Sequence, residues 1–132
     1  ARRTDYLKNA WNIEYHGPLP VSHYAAAMES ICITVRDPVF LLVSDDPMFF
    51  IENLSELPAL QRHEFHVLAD ETDVMTLALL QQFKYFVIAN STFSWWAAWL
   101  ADSARVIAPA AWFGPKGPRQ FEDIYDPRWE RV

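Results

Sequence analysis

Three clusters hold the side chains on which chemistry could run: Arg2-Arg3-Thr4-Asp5, Ser44-Asp45-Asp46, and Asn90-Ser91-Thr92-Phe93-Ser94. Guanidinium forks bind phosphate oxygens bidentately and stay charged at any working pH. Arg2 and Arg3 are adjacent, so on an extended segment they point to opposite sides and at most one faces a ligand. The plainer alternative is a solvated pair, or an Arg3–Asp5 salt bridge. A carboxylate at Asp45 or Asp46 can accept the paired N–H donors of a guanine edge or help hold a metal. Against that, Asp46 could simply cap the next helix, which leaves Asp45 the freer of the two. In the third cluster a strand, a polar turn and a helix follow one another. That order exposes backbone N–H groups at the helix N-terminus, an anion site. The hydroxyls of Ser91, Thr92 and Ser94 would add donors. The alternative is a cap in front of an ordinary aromatic core, but capping does not need four polar side chains.

The elements that must position these clusters can be read from punctuation and period. Lys8 to Pro20 holds two Asn, one Gly and two Pro, and reads as a loop. Ser22 is a fair N-cap for a helix in which Tyr24, Ala27, Met28, Ile31 and Val35 recur at helical spacing, stopped by Asp37-Pro38. Val39 to Ser44 is a continuous apolar run of strand length, suited to a strand buried on both faces. Asp46-Pro47 reads as N-cap and first position of a helix running to about Leu54. SELPALQRH is expected to be a loop, and Glu64–Leu68 a second strand. Asp73 opens a helix with Met75, Leu79 and Leu80 on its buried side. Tyr85–Ala89 is a third strand, Thr92 to Ser103 a helix, and Arg105–Pro109 a fourth strand. Strands alternating with helices predict an α/β fold with one parallel sheet and helices on both faces. In such sheets ligands bind beyond the carboxyl ends of the strands. All three clusters fall at such ends, the first on the assumption of a strand ahead of it.

Trp95 and Trp99 are four residues apart and share a helix face, while Trp96 points about 100° away. A helix aromatic on both sides should be covered on both, so this one is expected to be among the most buried, and Trp99→Ala to act through folding.

The totals exclude several classes. The 132 residues suit a single domain, 52% are apolar and 15% aromatic, which is a folding composition. A net charge of −6 without charge blocks argues against non-specific nucleic-acid binding. One cysteine, Cys32, excludes an internal disulfide. No apolar run approaches the roughly 20 residues of a membrane span. His16, His23, His63 and His66 have no usual metal spacing. The opening, ARRTDYL, reads as a cut within a longer chain.

Taken together, these motifs resemble the α-1,2-fucosyltransferases, glycosyltransferase family 11. RRTDY is similar to the end of that family's H-x-R-R-x-D-Y motif, whose His would fall just before Ala1. FLLVSDDPMFFIENL resembles its F-x-I-F-S-D-D segment with the following ENL. ANSTFSWWAAWL is nearly identical to A-N-S-T-F-S-W-W-G-A-W-L, and VIAPAAWF resembles V-I-A-P-x-x-W-F. The resemblance spans nearly all 132 residues. Ala97 departs from the family's Gly, and Thr4 stands where Gly is frequent.

The resemblance implies the C-terminal, Rossmann-like donor half of a GT-B-type enzyme about twice this length. That enzyme would transfer L-fucose from GDP-fucose to the 2-hydroxyl of a galactose-containing acceptor, inverting the anomeric centre without a metal. GDP-fucose would be a donor substrate, and no cofactor is implied. Carried over by motif, Arg2 and Arg3 bind the diphosphate, Asp5 orients that motif or acts as base, and Asp45 or Asp46 reads guanine. Asn90, Ser91, Thr92, Phe93 and Ser94 line the phosphate seat. The missing N-terminal half is the implied partner, so the isolated 132 residues should show no turnover. The compartment would be cytoplasmic at the bacterial inner membrane, or the Golgi lumen of a eukaryote. The alternatives are a non-catalytic GDP-binding module, a transferase of another GDP-sugar, and a structural fragment that binds nothing.

Overall fold

The computed structural model describes residues 1–69, 72–102 and 105–132. All four expected strands form, and every strand pair among the described residues is parallel. β1 (Phe40–Val43) pairs with β2 (Phe65–Leu68), with Phe40 opposite Phe65. β3 (Tyr85–Val87), β4 (Arg105–Ala108) and β5 (Glu130–Arg131) form a second sheet in that order. The α/β alternation therefore stands, but the expected single sheet is present as two. β5 went unread in the tail because its two residues carry no apolar pattern; its place is set by pairing with Ile107 and Ala108.

Helix α2 (Val21–Thr34) buries Tyr24, Ala27, Met28 and Ile31, one stripe at i, i+3, i+4 and i+7. It begins after Pro20, so Ser22 lies inside it rather than capping it. Two short helices occupy segments read as loops. α1 (Ala10–His16) is capped by the Asn9 side chain on the Asn12 N–H and closed by Gly17 at φ 65°. α4 (Pro58–Arg62) follows a 3-10 turn at Leu54–Glu56 and buries Ala59 and Leu60. At five to seven residues, such helices depend on tertiary packing rather than on propensity. α1 shows what that packing is: the Gly114 and Lys116 amides donate to the carbonyls of Tyr15 and Glu14. A Cβ on Gly114 would meet the Glu14 carbonyl oxygen at 2.3 Å, so only glycine permits this approach.

α3 (Met48–Glu52) is shorter than expected, and Pro47 occupies the cap position without a side-chain capping bond. α5 (Asp73–Leu80) is capped by Thr72, and its buried residue is Thr76. Met75 and Leu79, expected inside, are 60% and 40% exposed. α6 (Thr92–Leu100) ends before Ser103, which lies outside the described residues.

Helices lie on both faces of the β3–β4 sheet. Phe86, Ile88, Val106 and Ala108 face α5 and α6, whereas Val87 and Ile107 face Ala27 and Ile31 of α2. α2 also joins α3 and α4 over β1, through Tyr24, Met28, Leu42, Phe49 and Leu60. At α6 the tryptophan expectation is corrected. Trp96 is 51% and Trp99 48% exposed, and the helix's buried residues are Ala97 and Ala98. Small residues let the helix approach the sheet closely, and the indoles are displaced to its flanks. Trp95 stacks on Trp99 at 5.1 Å and donates its indole N–H to the Ile124 carbonyl at 2.6 Å. Trp99→Ala therefore does not carry the cost of a fully buried aromatic.

His23 on α2 is 8% exposed, and its Nε2 lies 3.3 Å from the Ile88 carbonyl, which can only accept, so that nitrogen is the protonated one. Burial lowers its pKa below the ordinary 6.5, although the carbonyl bond works the other way. The folded state thus resists a second proton. Its contribution is complete above 6.5 and is lost as pH falls toward the folded pKa. The melting temperature should fall as pH drops below about 6.5, and should fall less in His23→Gln. Equal slopes for the two proteins would assign the loss to other groups.

Candidate functional site

The carboxyl ends of β1 and β3 open on a cavity of about 1300 Å³ whose polar end is lined by Arg2, Asp45 and the run Asn90–Ser94. Three clusters distant in sequence thus meet at the address expected for a ligand in an α/β fold. Arg3, Asp5 and Asp46 are not among its lining residues.

Asp45 organises the N-terminal cluster. Its Oδ1 accepts the Arg3 amide at 2.8 Å, and its Oδ2 accepts the Thr4 amide at 3.1 Å and the Thr4 hydroxyl. Arg2 adds an ion pair at 3.4 Å. Burial raises the Asp45 pKa, but the Thr4 hydroxyl, the Arg3 amide and the Arg2 charge outweigh it and hold the carboxyl below its usual value. The buckle is therefore closed at neutral pH and weakens only as pH falls below the ordinary 3.8.

This loop divides the two arginines. Arg2 lies on the cavity wall and pairs with both Asp45 and Asp5. Arg3 turns away. Its guanidinium stacks 3.9 Å from the Phe49 ring centroid, its Nη1 reaches the Leu19 carbonyl at 3.5 Å, and its Nε is 3.6 Å from Asp46. The ion pair considered for Arg3 and Asp5 is formed by Arg2 and Asp5 instead. The aspartates are also reversed. Asp46 does not cap α3 with its side chain, while Asp45 is the more heavily engaged. The Asp46 amide bonds to the Ser44 hydroxyl, which accounts for the third member of that cluster.

Asn90 is a latch. Its side-chain amide donates to the carbonyls of His16 (2.7 Å), Gly17 (3.1 Å) and Trp112 (3.0 Å), and its backbone carbonyl accepts the Tyr6 hydroxyl at 2.6 Å. Three acceptors fix which end of the amide is nitrogen. Its Oδ1 is buried with no hydrogen-bond partner among the described residues. Ser91 is the N-cap residue of α6 by position, yet its hydroxyl makes no capping bond. The Thr92, Phe93 and Ser94 N–H groups begin the helix and have no intrahelical partner. The mouth of α6 therefore presents amides, hydroxyls and the positive end of the helix dipole toward the cavity that Arg2 lines.

Tyr6 and His16 were not singled out in the sequence. Their rings stack at 4.3 Å and 7° on the cavity wall, and burial raises the Tyr6 pKa. Tyr6 closes the RRTDY motif, which was the available signal; His16 was weighed only as a metal ligand. No group of three or more metal-ligating side chains occurs among the described residues.

The motif positions and this shared cavity agree with a match of the glycosyl transferase family 11 model to residues 1–132. The chain belongs to glycosyl transferase family 11. It is similar to an alpha-1,2-colitosyltransferase of Escherichia coli, 29% identical over 133 residues, covering 99% of this chain and 45% of that protein. It is also similar to the O-antigen biosynthesis glycosyltransferase WbnK of Escherichia coli, 31% identical over 125 residues, covering 85% of this chain and 37% of that protein. The chain thus spans less than half the length of these relatives. No solved structure matches it. The departure from the family's Gly at Ala97 is accommodated in the α6 core face, where Ala97 is 1% exposed. No helix among the described residues is long and apolar enough to cross a membrane.

Proposed function

We propose that this chain is the donor-binding portion of a GT-B-type glycosyltransferase that moves L-fucose from GDP-fucose to the 2-hydroxyl of a galactose-containing acceptor. The observation that carries the reading is the mouth of α6, uncapped and rich in hydroxyls, opening on the same cavity as Arg2. The acceptor oxygen attacks the anomeric carbon from the face opposite GDP. The carbon–oxygen bond to the diphosphate breaks, the configuration inverts, and the acceptor proton passes to a base. The leaving group departs with growing negative charge. Arg2 and the α6 amides, supplemented by Thr92 and Ser94, stabilise that charge where other transferases use a metal. Asp5 holds Arg2 from the far side and is a positioning residue in this scheme. We assign guanine to Asp46, next in sequence to the cavity-lining Asp45 though not itself on the cavity wall, because among the described residues only Arg3 approaches its carboxylate. The remainder of the enzyme supplies the acceptor side of the cleft.

The test is binding of GDP by calorimetry. GDP should bind at least about 100-fold more tightly than ADP, because a polar site rejects a base that leaves its acceptors unpaired. EDTA should leave the affinity unchanged. Ser94→Ala should weaken GDP by about 1 kcal/mol, one hydrogen bond, with little change in melting temperature. Equal affinity for GDP and ADP would remove the guanine assignment, and normal GDP binding by Ser94→Ala would reduce the α6 mouth to plain structure.

A second reading concerns the sugar alone. A relative named for colitosyl transfer makes another GDP-sugar a competing donor. Turnover of the full-length chain with GDP-fucose and GDP-colitose side by side separates the two.

A further inference from the structure

Arg2 and the mouth of α6 provide for the leaving group, but transfer also needs a group to take the acceptor's proton. Four carboxylates stand near the polar end of the cavity, and a cation engages each of them. Asp5 pairs with Arg2, Glu14 with Lys116 and Asp46 with Arg3. Asp45 pairs with Arg2 and also accepts the Arg3 amide, the Thr4 amide and the Thr4 hydroxyl. Such partners stabilise the ionised carboxylate and make it a weak base. Of the four, only Asp45 lines the cavity. Asp73 lines it too, but it is exposed and opens α5 after β2, which belongs to the other sheet from β3 and the α6 turn. The Tyr6 hydroxyl donates to the Asn90 carbonyl, and burial raises its pKa, so it keeps its proton.

His16 differs from all of these. It is the last residue of α1, half-buried on the cavity wall. Neither of its ring nitrogens has a hydrogen-bond partner among the described residues. The ring is nevertheless fixed in place. Tyr6 stacks on it at 4.3 Å and 7°, and Tyr15 crosses it at 5.1 Å and 78°. The backbone is fixed as well, since the His16 carbonyl accepts the Asn90 side-chain amide at 2.7 Å. Asn90 directly precedes the cap position of α6, so the imidazole stands beside the diphosphate seat of the donor reading. α1 buries none of its own residues. What its bonds to Asn90 and to the Gly114 segment achieve is the placement of what it carries. A neutral imidazole keeps one nitrogen lone pair able to accept a proton.

We propose that His16 is the catalytic base. Its unprotonated ring nitrogen takes the proton of the acceptor hydroxyl while that oxygen forms its bond to the anomeric carbon. The bond from this carbon to the diphosphate oxygen breaks, and its electron pair leaves with GDP. His16 emerges as imidazolium, stabilised against the face of the Tyr6 ring, and gives the proton to water. This role rests on the transferase reading above and adds to it the identity of the base.

GDP binding and transfer rates of the full-length chain test it, in wild type, His16→Phe and His16→Ala. Both variants should bind GDP as wild type does and lose about 100- to 10,000-fold in kcat. His16→Phe keeps a ring against Tyr6 but cannot take a proton. Its melting temperature should match wild type, so it carries the test if His16→Ala folds poorly. His16→Ala leaves a space of imidazole's shape, and added imidazole should restore its rate at least about tenfold while leaving His16→Phe unchanged. Normal GDP binding with a rate loss under about tenfold in both variants would overturn the role of His16 and leave the donor reading standing. A His16→Ala enzyme indifferent to imidazole would overturn it too. GDP affinity that falls in step with the rate would make His16 a phosphate ligand instead of a base. Wild type that does not bind GDP would remove the donor reading, and the base with it.

Discussion

Arg2→Ala is expected to lower transfer from the GDP-sugar by about 100- to 1000-fold in the full-length enzyme, the usual cost of removing one preorganised group from a developing anion. The fold should hardly notice. Arg2 pairs with Asp5 and Asp45 where its side chain is 38% exposed, and pairs of that kind contribute about 0–1 kcal/mol. Arg2→Lys should recover only part of the rate, since an ammonium is a point charge without the planar fork. Arg3→Ala is the contrasting protein. It removes a guanidinium packed on Phe49, so its loss should appear first in melting temperature. Steady-state rates and thermal melts of the three variants check the assignment. A rate loss under about tenfold for Arg2→Ala would show that Arg2 does not meet the leaving group.

Asn90→Ala should be the most destabilising single change in the site. It strands the carbonyls of His16, Gly17 and Trp112, which now share one buried amide. A fully buried acceptor left without a donor, as the Trp112 carbonyl would be, costs about 1–3 kcal/mol, and the part-buried carbonyls of His16 and Gly17 cost less because water can reach them. A total near 3 kcal/mol corresponds to a melting temperature lower by roughly 10 °C for a domain of this size. Asn90→Asp should be at least as harmful, because it sets a carboxylate against three carbonyls. Ser94→Ala is the control that alters the same wall and spares the latch. If Asn90→Ala melts within about 2 °C of wild type, the latch is not what joins α1 to the α6 turn.

Strands and the longer helices were legible in the residues because their signals are local. Apolar runs and one alternating segment read as strands, and the stripe at Tyr24, Ala27, Met28 and Ile31 reads as a helix wherever it occurs. The short helices α1 and α4 were not legible, since neither carries enough turns to show a period. Burial on α5 and α6 was misread for a related reason. Apolar side chains state a preference for cover, but Met75, Trp96 and Trp99 receive cover only where another element arrives to give it.

By itself, the sequence determined the α/β alternation, the three polar clusters at strand ends and the motif spacing of the family, all of which are written within windows of a few residues. Only the tertiary structure decided how the clusters divide their work. Arg2 faces the cavity and Arg3 turns away because both Arg3 and Thr4 are tied to Asp45, 42 and 41 residues distant. Asn90 is a latch rather than a free ligand because the carbonyls it holds come from 73 and 74 residues upstream and 22 downstream. Such roles depend on which backbone groups folding brings within hydrogen-bond reach, and no local pattern of residue types encodes that proximity.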